Sequence, residues 1–424
     1  MRCTKNEAGD IMAEAKKIRV VVVGGGAAGM TAAIVAARRG ATVTVIERMS
    51  RVGKKLLATG NGRCNLTNTE QGVDSYHGAN PRFVEDAFDQ FNVSQTLSFF
   101  EELGIEPLIE EDGLVYPASG QASSVLDVLR YEMEQLGVQV LCNTPIHRIE
   151  KRQKEFRCLG ADSGEYPADR VIIAAGGKSA PNLGSNGSGF KIAEDLGHKV
   201  KTPFPALVQV CLDVPFLKRL SGIRIRGGAE CRIDDVAAGS ERGEMLFTDY
   251  GISGIPILQL SRSISEHTGS GRKLSIHLDL FPDWSERNLV ARIVRRISCN
   301  PGKPLQMSFV GLLHKRLIAV ILQEAGFENI RSACGELSQK EILRIAARMK
   351  DWPLQCIGVK SWMFSQVTAG GVDVGEVNPR TMESKIVSGV YFAGEVLDID
   401  GDCGGYNLQW AWSSGYVAGM NTAG

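Results

Sequence analysis

The 424-residue sequence has no net charge, because 48 lysine and arginine residues balance 48 aspartate and glutamate residues. A binder of nucleic acids or membrane surfaces usually carries a basic excess, so the sequence predicts neither partner. Its ten cysteines form no C-x-x-C pair, and its six histidines form no H-E-x-x-H motif. These absences predict no metal site, no iron–sulfur cluster and no local redox dithiol. Unpaired cysteines also predict a reducing, cytoplasmic compartment.

One uncharged stretch, from Val20 to Ala37, follows several basic residues and has the length of a membrane span. Three consecutive glycines and several alanines make it a poor membrane helix, so we expect a soluble protein. The residues before Lys17 have the composition of a polar leader, with Met12 as an alternative start.

The region from Val20 to Glu47 has the pattern of a strand, a glycine turn, a helix and a second strand. A run of valines leads into Gly24-Gly25-Gly26-Ala27-Ala28-Gly29, which matches G-x-G-x-x-G. In this motif Gly24 permits a tight turn, Gly26 lets the backbone approach a pyrophosphate, and Gly29 lets the helix pack closely on the sheet. The unit therefore predicts a dinucleotide site.

The predicted helix, Ala27 to Arg39, offers free N–H groups to phosphates at its first turn. The strand from Thr42 to Ile46 then delivers Glu47, eighteen residues past Gly29. A carboxylate there can accept hydrogen bonds from both ribose hydroxyls, and its charge disfavours a 2′-phosphate. At this point NAD and FAD are both candidates.

Two further strands end in glycine-rich turns. Arg170 to Ala174 leads into Ala175-Gly176-Gly177, and Ser388 to Glu395 predicts a short buried strand that ends in a glycine–acid pair. A helix is predicted from Leu408 to Met420. A fold that binds a single nicotinamide dinucleotide rarely needs a late strand that returns to the first dinucleotide unit. Flavoproteins with the two-dinucleotide fold hold the ribityl-flavin half of FAD in such a place.

Four segments are more distinctive: Thr59 to Asn68, Val367 to Val372, Thr381 to Lys385, and Gly404 to Asn407. They resemble the flavoprotein family that includes aminoacetone oxidases and bile-acid-inducible flavin reductases, and the similarity covers nearly the whole chain. The resemblance implies FAD as the cofactor and NAD(P)H as a transient electron donor in some members. It leaves the substrate open.

The same resemblance implies an α/β fold of the two-dinucleotide-binding, glutathione-reductase-like type, with an inserted β-barrel domain and a nested helical domain. Alternating apolar runs, such as Ile223 to Arg226 and Leu274 to Leu278, favour β structure after Lys199, and helical spacing follows Pro282. The expected boundaries are 1–198 plus 364–424 for the FAD domain, 199–281 plus 354–363 for the β domain, and 282–353 for the helical domain.

The predicted contacts of FAD come from all of these glycine-rich segments. Gly394-Glu395 would meet the ribityl chain, with Asp400 or Asp402 as substitutes, and the helix start after Gly405 would direct amides at the flavin pyrimidine ring. The predicted cofactor-binding residues are Gly24, Gly26, Ala27, Ala28, Gly29, Glu47, Arg48, Lys55, Thr59, Gly60, Gly62, Arg63, Cys64, Asn65, Ile146, Ala175, Gly176, Gly177, Gly394, Glu395, Gly405, Tyr406, Asn407 and Leu408.

The leading functional hypothesis is an FAD-dependent oxidoreductase that moves a hydride between a small organic substrate and flavin N5, with NAD(P)H or oxygen as the second partner. The alternatives are an NAD-dependent dehydrogenase, a flavin-binding module without turnover, and a flavoprotein that assists RNA modification, against which the neutral charge argues. The sequence assigns no catalytic side chain and no oligomeric state. The segment that contains Thr248 and Tyr250 either brings one of these residues to the flavin face or forms a structural turn. Cys64 is expected to be a packing residue rather than a reactive thiol.

Overall fold

A computed structural model of the protein describes residues 17–161 and 163–423. The predicted polar leader and the alternative start at Met12 lie outside these residues. Within the described residues, every helix is too short or too polar to cross a membrane.

The described residues form 21 strands and 12 α-helices. The strands are β1 Arg19–Val23, β2 Thr42–Ile46, β3 Thr67–Asn68, β4 Tyr76–His77, β5 Pro107–Ile109, β6 Leu114–Pro117, β7 Gln139–Leu141, β8 Ile146–Arg152, β9 Glu155–Gly160, β10 Glu165–Ala168, β11 Arg170–Ile173, β12 Val200–Ala206, β13 Val210–Leu212, β14 Arg224–Ile233, β15 Val236–Phe247, β16 Gly251–Ser253, β17 Leu274–Asp279, β18 Trp352–Val359, β19 Val367–Val372, β20 Val390–Phe392 and β21 Asp400–Gly401. The helices are α1 Ala27–Arg38, α2 Glu85–Phe88, α3 Val93–Glu102, α4 Ala122–Gln135, α5 Ser188–Asp195, α6 Leu217–Leu220, α7 Ile255–His267, α8 Glu286–Cys299, α9 Leu305–Ser308, α10 Lys315–Glu324, α11 Gln339–Lys350 and α12 Tyr406–Thr422.

A five-stranded parallel sheet forms the centre of the first core, in the order β20-β11-β1-β2-β7. Its strands are short apolar runs, as expected for a sheet that is covered on both faces. The strand predicted at Thr42–Ile46 and the helix predicted from Ala27 to Arg39 are confirmed to within one residue. The buried strand predicted within Ser388 to Glu395 is present but covers only Val390–Phe392. This is the parallel α/β arrangement that the sequence predicted around a dinucleotide site.

Helices α1 and α12 cross at very close range because both are rich in alanine and glycine. A Cβ atom on Gly415 would lie 2.5 Å from the carbonyl oxygen of Ala28, and one on Gly419 would lie 2.6 Å from that of Ala32. The C-terminal helix is thereby held against the helix that follows the first glycine turn. The two glycine-rich ends of the chain meet in one place.

The second core is built around a closed six-stranded barrel, in the order β13-β16-β15-β14-β17-β18. The strands predicted around Ile223 and Leu274 are confirmed. Leu207 adopts a φ of 48° and separates β13 from the preceding strand β12. Strand β12 pairs with β19 in a separate two-stranded sheet.

The segment predicted as alternating strands also contains helix α7, which the sequence interpretation missed. Gly254 precedes this helix, Pro256 lies in its first turn, and Ile257, Leu260 and Ile264 are buried at helical spacing. Burial against the barrel therefore favours a helix here.

Helices α8 to α11 pack on the barrel and share its core. Their beginnings carry ordinary caps: the hydroxyl of Ser285 accepts a hydrogen bond from the Asn288 amide, and Ser338 forms a capping box with Glu341. The helical spacing seen after Pro282 in the sequence predicted this segment correctly.

Candidate active site

One large cavity, of about 1220 Å³, lies at the carboxyl ends of the parallel strands. The turns after β1, β2, β11 and β20 all contribute to its wall. Ligands of open α/β sheets bind at this edge, where strand ends present free amides. The volume exceeds the roughly 300–1,000 Å³ of an ordinary small-molecule site, so a dinucleotide and a substrate both have room.

The three glycines of the first motif serve different purposes. A Cβ atom on Gly24 would lie 2.4 Å from the carbonyl oxygen of Ala174, and one on Gly29 would lie 1.9 Å from the carbonyl oxygen of Gly24. Both positions therefore need glycine for packing. A Cβ atom on Gly26 would meet nothing within 4 Å, because this glycine faces the cavity.

Glu47 is buried at the end of β2 and its carboxylate organises the glycine turn. Its Oε2 accepts a hydrogen bond from the Gly25 amide at 2.8 Å, and its Oε1 accepts one from the Met49 amide at 2.7 Å. The carboxylate also borders the cavity. Glu47 thus stands where the sequence predicted a ribose contact, and it supports the backbone of the turn as well.

Lys55 and Glu395 join two distant parts of the chain across the cavity wall. Their Nζ and Oε2 atoms form an ion pair of 2.7 Å, and the other carboxylate oxygen of Glu395 accepts from the Thr368 amide at 2.7 Å. The predicted substitutes for Glu395 differ: Asp402 lines the cavity, whereas the buried Asp400 is held by Arg262 at 2.9 Å.

The start of α12 forms another part of the wall. Gly405 has a φ of 101°, and a Cβ atom there would lie 2.5 Å from the carbonyl oxygen of Thr67, so only glycine fits. The side-chain amide of Asn407 donates to the carbonyl oxygens of Gly401 and Asp402. These bonds fix the turn so that the first amides of a seventeen-residue helix border the cavity.

One part of the cavity wall is apolar. Leu207, Leu258 and Val367 form a small apolar cluster against the side chain of Cys403, and all four line the cavity. Ser253 and Gly254 line it as well.

The alternative that brought Thr248 or Tyr250 to the flavin face is wrong, because neither residue lines the cavity. Thr248 instead accepts a hydrogen bond from the Gly251 amide, and the ammonium of Lys360 lies 4.3 Å from the centre of the Tyr250 ring. These contacts make the segment a structural turn.

The structure brings most of the predicted cofactor residues together around this cavity. The residues that line it are Gly24, Gly26, Ala27, Ala28, Glu47, Arg48, Lys55, Thr59, Gly60, Arg63, Asn65, Ile146, Ala175, Gly176, Gly394, Glu395, Gly405, Tyr406, Asn407 and Leu408. Four others, Gly29, Gly62, Cys64 and Gly177, do not line it. Gly29 packs behind the lining, and a Cβ atom on Gly177 would lie 2.3 Å from the Thr368 hydroxyl.

Cys64 is fully buried, and burial raises the pKa of its thiol to about 12. A protonated, enclosed thiol is a packing residue, in agreement with the sequence interpretation. Within the described part of the chain, no group of three histidine, cysteine or acidic residues is placed to hold a metal ion.

Several lining residues carry no sequence signal that would have identified them. Tyr116 lies in the short strand β6, and Leu207 and Leu258 belong to ordinary apolar runs. They reach the cavity only through long-range pairing, such as that of β6 with β3.

The residues present fit FAD. The open space in front of Gly26 suits a pyrophosphate, and free amides follow it at the start of α1. The buried Oδ1 of the cavity-lining Asn65 has no hydrogen-bond partner among the described residues. Bound there, FAD supplies two-electron redox chemistry, while the chain binds and orients it.

Comparisons with known proteins agree with this geometry. The model of the family described as "HI0933-like protein Rossmann domain" matches residues 18–421. A 3-dehydro-bile acid delta(4,6)-reductase of Clostridium scindens is 37% identical over 90% of this chain and 93% of its own length. Ribosomal RNA dihydrouridine synthases of Haemophilus influenzae and Escherichia coli are 31% and 30% identical, each over 91% of this chain and 93% of their own length.

The parallel sheet, the glycine turn and the matches over nearly the whole chain lead to one assignment. The cofactor is FAD, as the family resemblance implied, and the alternative of an NAD-dependent dehydrogenase is set aside. This chain belongs to the HI0933-like family and is a flavin-dependent oxidoreductase.

Proposed function

We propose that this protein reduces a carbon–carbon double bond conjugated with a carbonyl group in a small organic molecule. The substrate would receive a hydride from flavin N5 and a proton from the site, with NAD(P)H as the electron donor. Two names among the relatives support the reaction class: a delta(4,6)-reductase acting on a 3-dehydro compound and a synthase of dihydrouridine. In both cases the bond that becomes saturated is conjugated with a carbonyl.

The observation that carries the proposal is the mixed lining of the cavity. Glycine turns and helix amides suited to FAD line the same cavity as the apolar cluster of Leu207, Leu258 and Val367. A substrate bound in this cavity would lose its water shell at the cofactor, which favours hydride transfer over side reactions.

A small molecule is favoured over RNA as the substrate. The chain has no net charge, whereas binding to RNA depends on neutralising phosphates with basic residues. The apolar cluster also offers little to a phosphate backbone. The names of two relatives make RNA the second candidate, and the experiment below includes it.

The test uses the FAD-loaded protein under anaerobic conditions. NADH or NADPH is added and the loss of the visible flavin absorbance is followed. A cyclic enone, a 4,6-dien-3-one steroid, or an unmodified ribosomal RNA transcript is then added. We expect bleaching by one nicotinamide and recovery with an enone or dienone. Recovery only on admitting air would make the protein an oxidase and contradict the proposal, and recovery only with the transcript would make RNA the substrate.

A further inference from the structure

Tyr116 lies in strand β6 and lines the cavity beside the loop that follows Lys55. A Cβ atom on Gly60 would lie 3.2 Å from the Cε1 atom of Tyr116, so the ring packs directly against this loop. The ring is only partly buried, and the structure gives its hydroxyl no hydrogen bond to any residue between 17 and 161 or 163 and 423. A phenol without a partner at a cavity wall is free to bond to a ligand.

The guanidinium of Arg63 lies over the same ring, 3.9 Å from its centre. Glu110 holds the guanidinium in place through contacts of 2.5 Å and 3.3 Å. A cation in this position interacts favourably with the ring and still more with a phenolate. Tyr116 therefore has a neighbour that stabilises the form left after it gives up a proton.

Among the described residues, the charged and titratable groups that act on Tyr116 include Arg63, Glu110, Cys64 and Cys403. Burial raises the pKa of Tyr116, and the positive charge of Arg63 opposes that rise. The phenol consequently stays protonated at neutral pH. Burial also raises the pKa of both cysteines, so neither competes as an anion.

Three other ionisable groups on the wall already have partners or lie in an apolar cluster. The carboxylate of Asp402 contacts His77 Nε2 at 2.8 Å, and Glu395 is shared between Lys55 and a backbone amide. The Cys403 thiol packs into the apolar cluster. Tyr116 is the titratable side chain of this part of the wall that combines an unused O–H with an adjacent cation.

We propose that Tyr116 is the proton donor of the reaction and that Arg63 assists it. This inference rests on the proposed reduction of a conjugated double bond. In that reaction the π bond breaks, the β-carbon gains the hydride, and the α-carbon gains the proton of the Tyr116 hydroxyl. The phenolate, stabilised by Arg63, then recovers a proton from solvent, so charges and electrons balance.

The test separates proton donation from every other step by using Tyr116→Phe. FAD content and bleaching by NAD(P)H are measured first. The reduced protein is then mixed anaerobically with 2-cyclohexenone or a 4,6-dien-3-one steroid, or with oxygen. We expect the enone-driven recovery of the flavin absorbance to slow by about 10²-fold or more, the usual contribution of a general acid. Recovery with oxygen should stay within about twofold, because oxygen needs no carbon protonation.

Tyr250→Phe is the matched control, since Tyr250 lines no part of the cavity and should behave as the unchanged protein. Arg63→Gln supplies a second readout. The enone-driven recovery of the flavin absorbance slows as the pH rises through the pKa of Tyr116, because the phenolate has no proton to give. Loss of the Arg63 cation raises that pKa and moves the slowing to higher pH. A merely structural role for Tyr116 would not move it.

The two possible failures are distinct. If Tyr116→Phe and the unchanged protein react equally with the enone, or if Arg63→Gln leaves the pH profile in place, Tyr116 is not the donor and the proposed reduction stands. If the unchanged protein reacts with no enone or dienone, the proposed function and the assignment of Tyr116 are both overturned.

Discussion

Gly26 and Gly29 belong to the same motif, yet exchanging each for alanine should have opposite consequences. At Gly29 the new Cβ atom would meet the Gly24 carbonyl oxygen at 1.9 Å, well inside van der Waals contact, and that atom belongs to the backbone. Overpacking typically costs 1–3 kcal/mol, and a rigid backbone neighbour places Gly29→Ala at about 3 kcal/mol or more. That is a large share of a stability of about 5–15 kcal/mol.

At Gly26 the new Cβ atom would meet nothing within 4 Å, and the residue has an ordinary φ of −82°. Gly26→Ala should therefore leave the unfolding free energy of the FAD-free protein within about 0.5 kcal/mol of the original value. The methyl group instead occupies the space that a pyrophosphate needs. We expect at least a 100-fold loss of FAD affinity, about 2.7 kcal/mol. Gly26→Val should abolish retention of FAD.

The assay is thermal unfolding with and without FAD, combined with a fluorescence titration of the cofactor. FAD at 100 times its dissociation constant stabilises a protein by about 2.7 kcal/mol. The original protein should gain this stabilisation and Gly26→Ala should not, although its FAD-free melting temperature is unchanged. Gly29→Ala should melt several degrees lower without FAD. The reasoning is refuted if Gly26→Ala binds FAD normally, or if Gly29→Ala is as stable as the original.

Three other substitutions or treatments test single contacts. Glu47→Ala should weaken FAD binding by about 1–3 kcal/mol, because a charge-assisted contact and the support of the turn are lost, and unchanged affinity in the titration would mean that Glu47 does not contact the ribose. Arg262→Met leaves the buried carboxylate of Asp400 without its cation and should lower the unfolding free energy in urea by about 3–5 kcal/mol, whereas the double variant with Asp400→Asn should recover part of that loss. Cys64 should resist iodoacetamide in the folded protein while the exposed Cys299 reacts, as mass spectrometry of the peptides would show; rapid labelling of Cys64 would contradict its burial.

The parts of the fold that could be predicted are those in which the pattern is local. The valine run, the glycine turn and the strand ending at Glu47 each carry their own periodicity, so the unit emerges nearly at its observed boundaries. Helix α7 was missed because the surrounding alternating runs suggested strands, and only packing on the barrel decides in favour of the helix.

The parts of the candidate site that require glycine could be predicted from the sequence. The side chain proposed to take part in the reaction could not. Glycine-rich loops mark close approach of the backbone, and most of them do line the cavity. Tyr116 sits in a four-residue strand with no motif around it. It reaches the cavity because β6 pairs with β3, a contact between distant parts of the chain that periodicity does not encode.

The order of strands in the parallel sheet has a consequence for biosynthesis. Strand β1 is made first, but β20 and α12 are made only after the whole barrel and its helices. Until then the alanine-rich face of α1 lacks the helix that covers it. During translation the barrel can therefore fold before the cofactor site is complete. FAD can bind in the complete site only after β20 and α12 have been made and have packed in place.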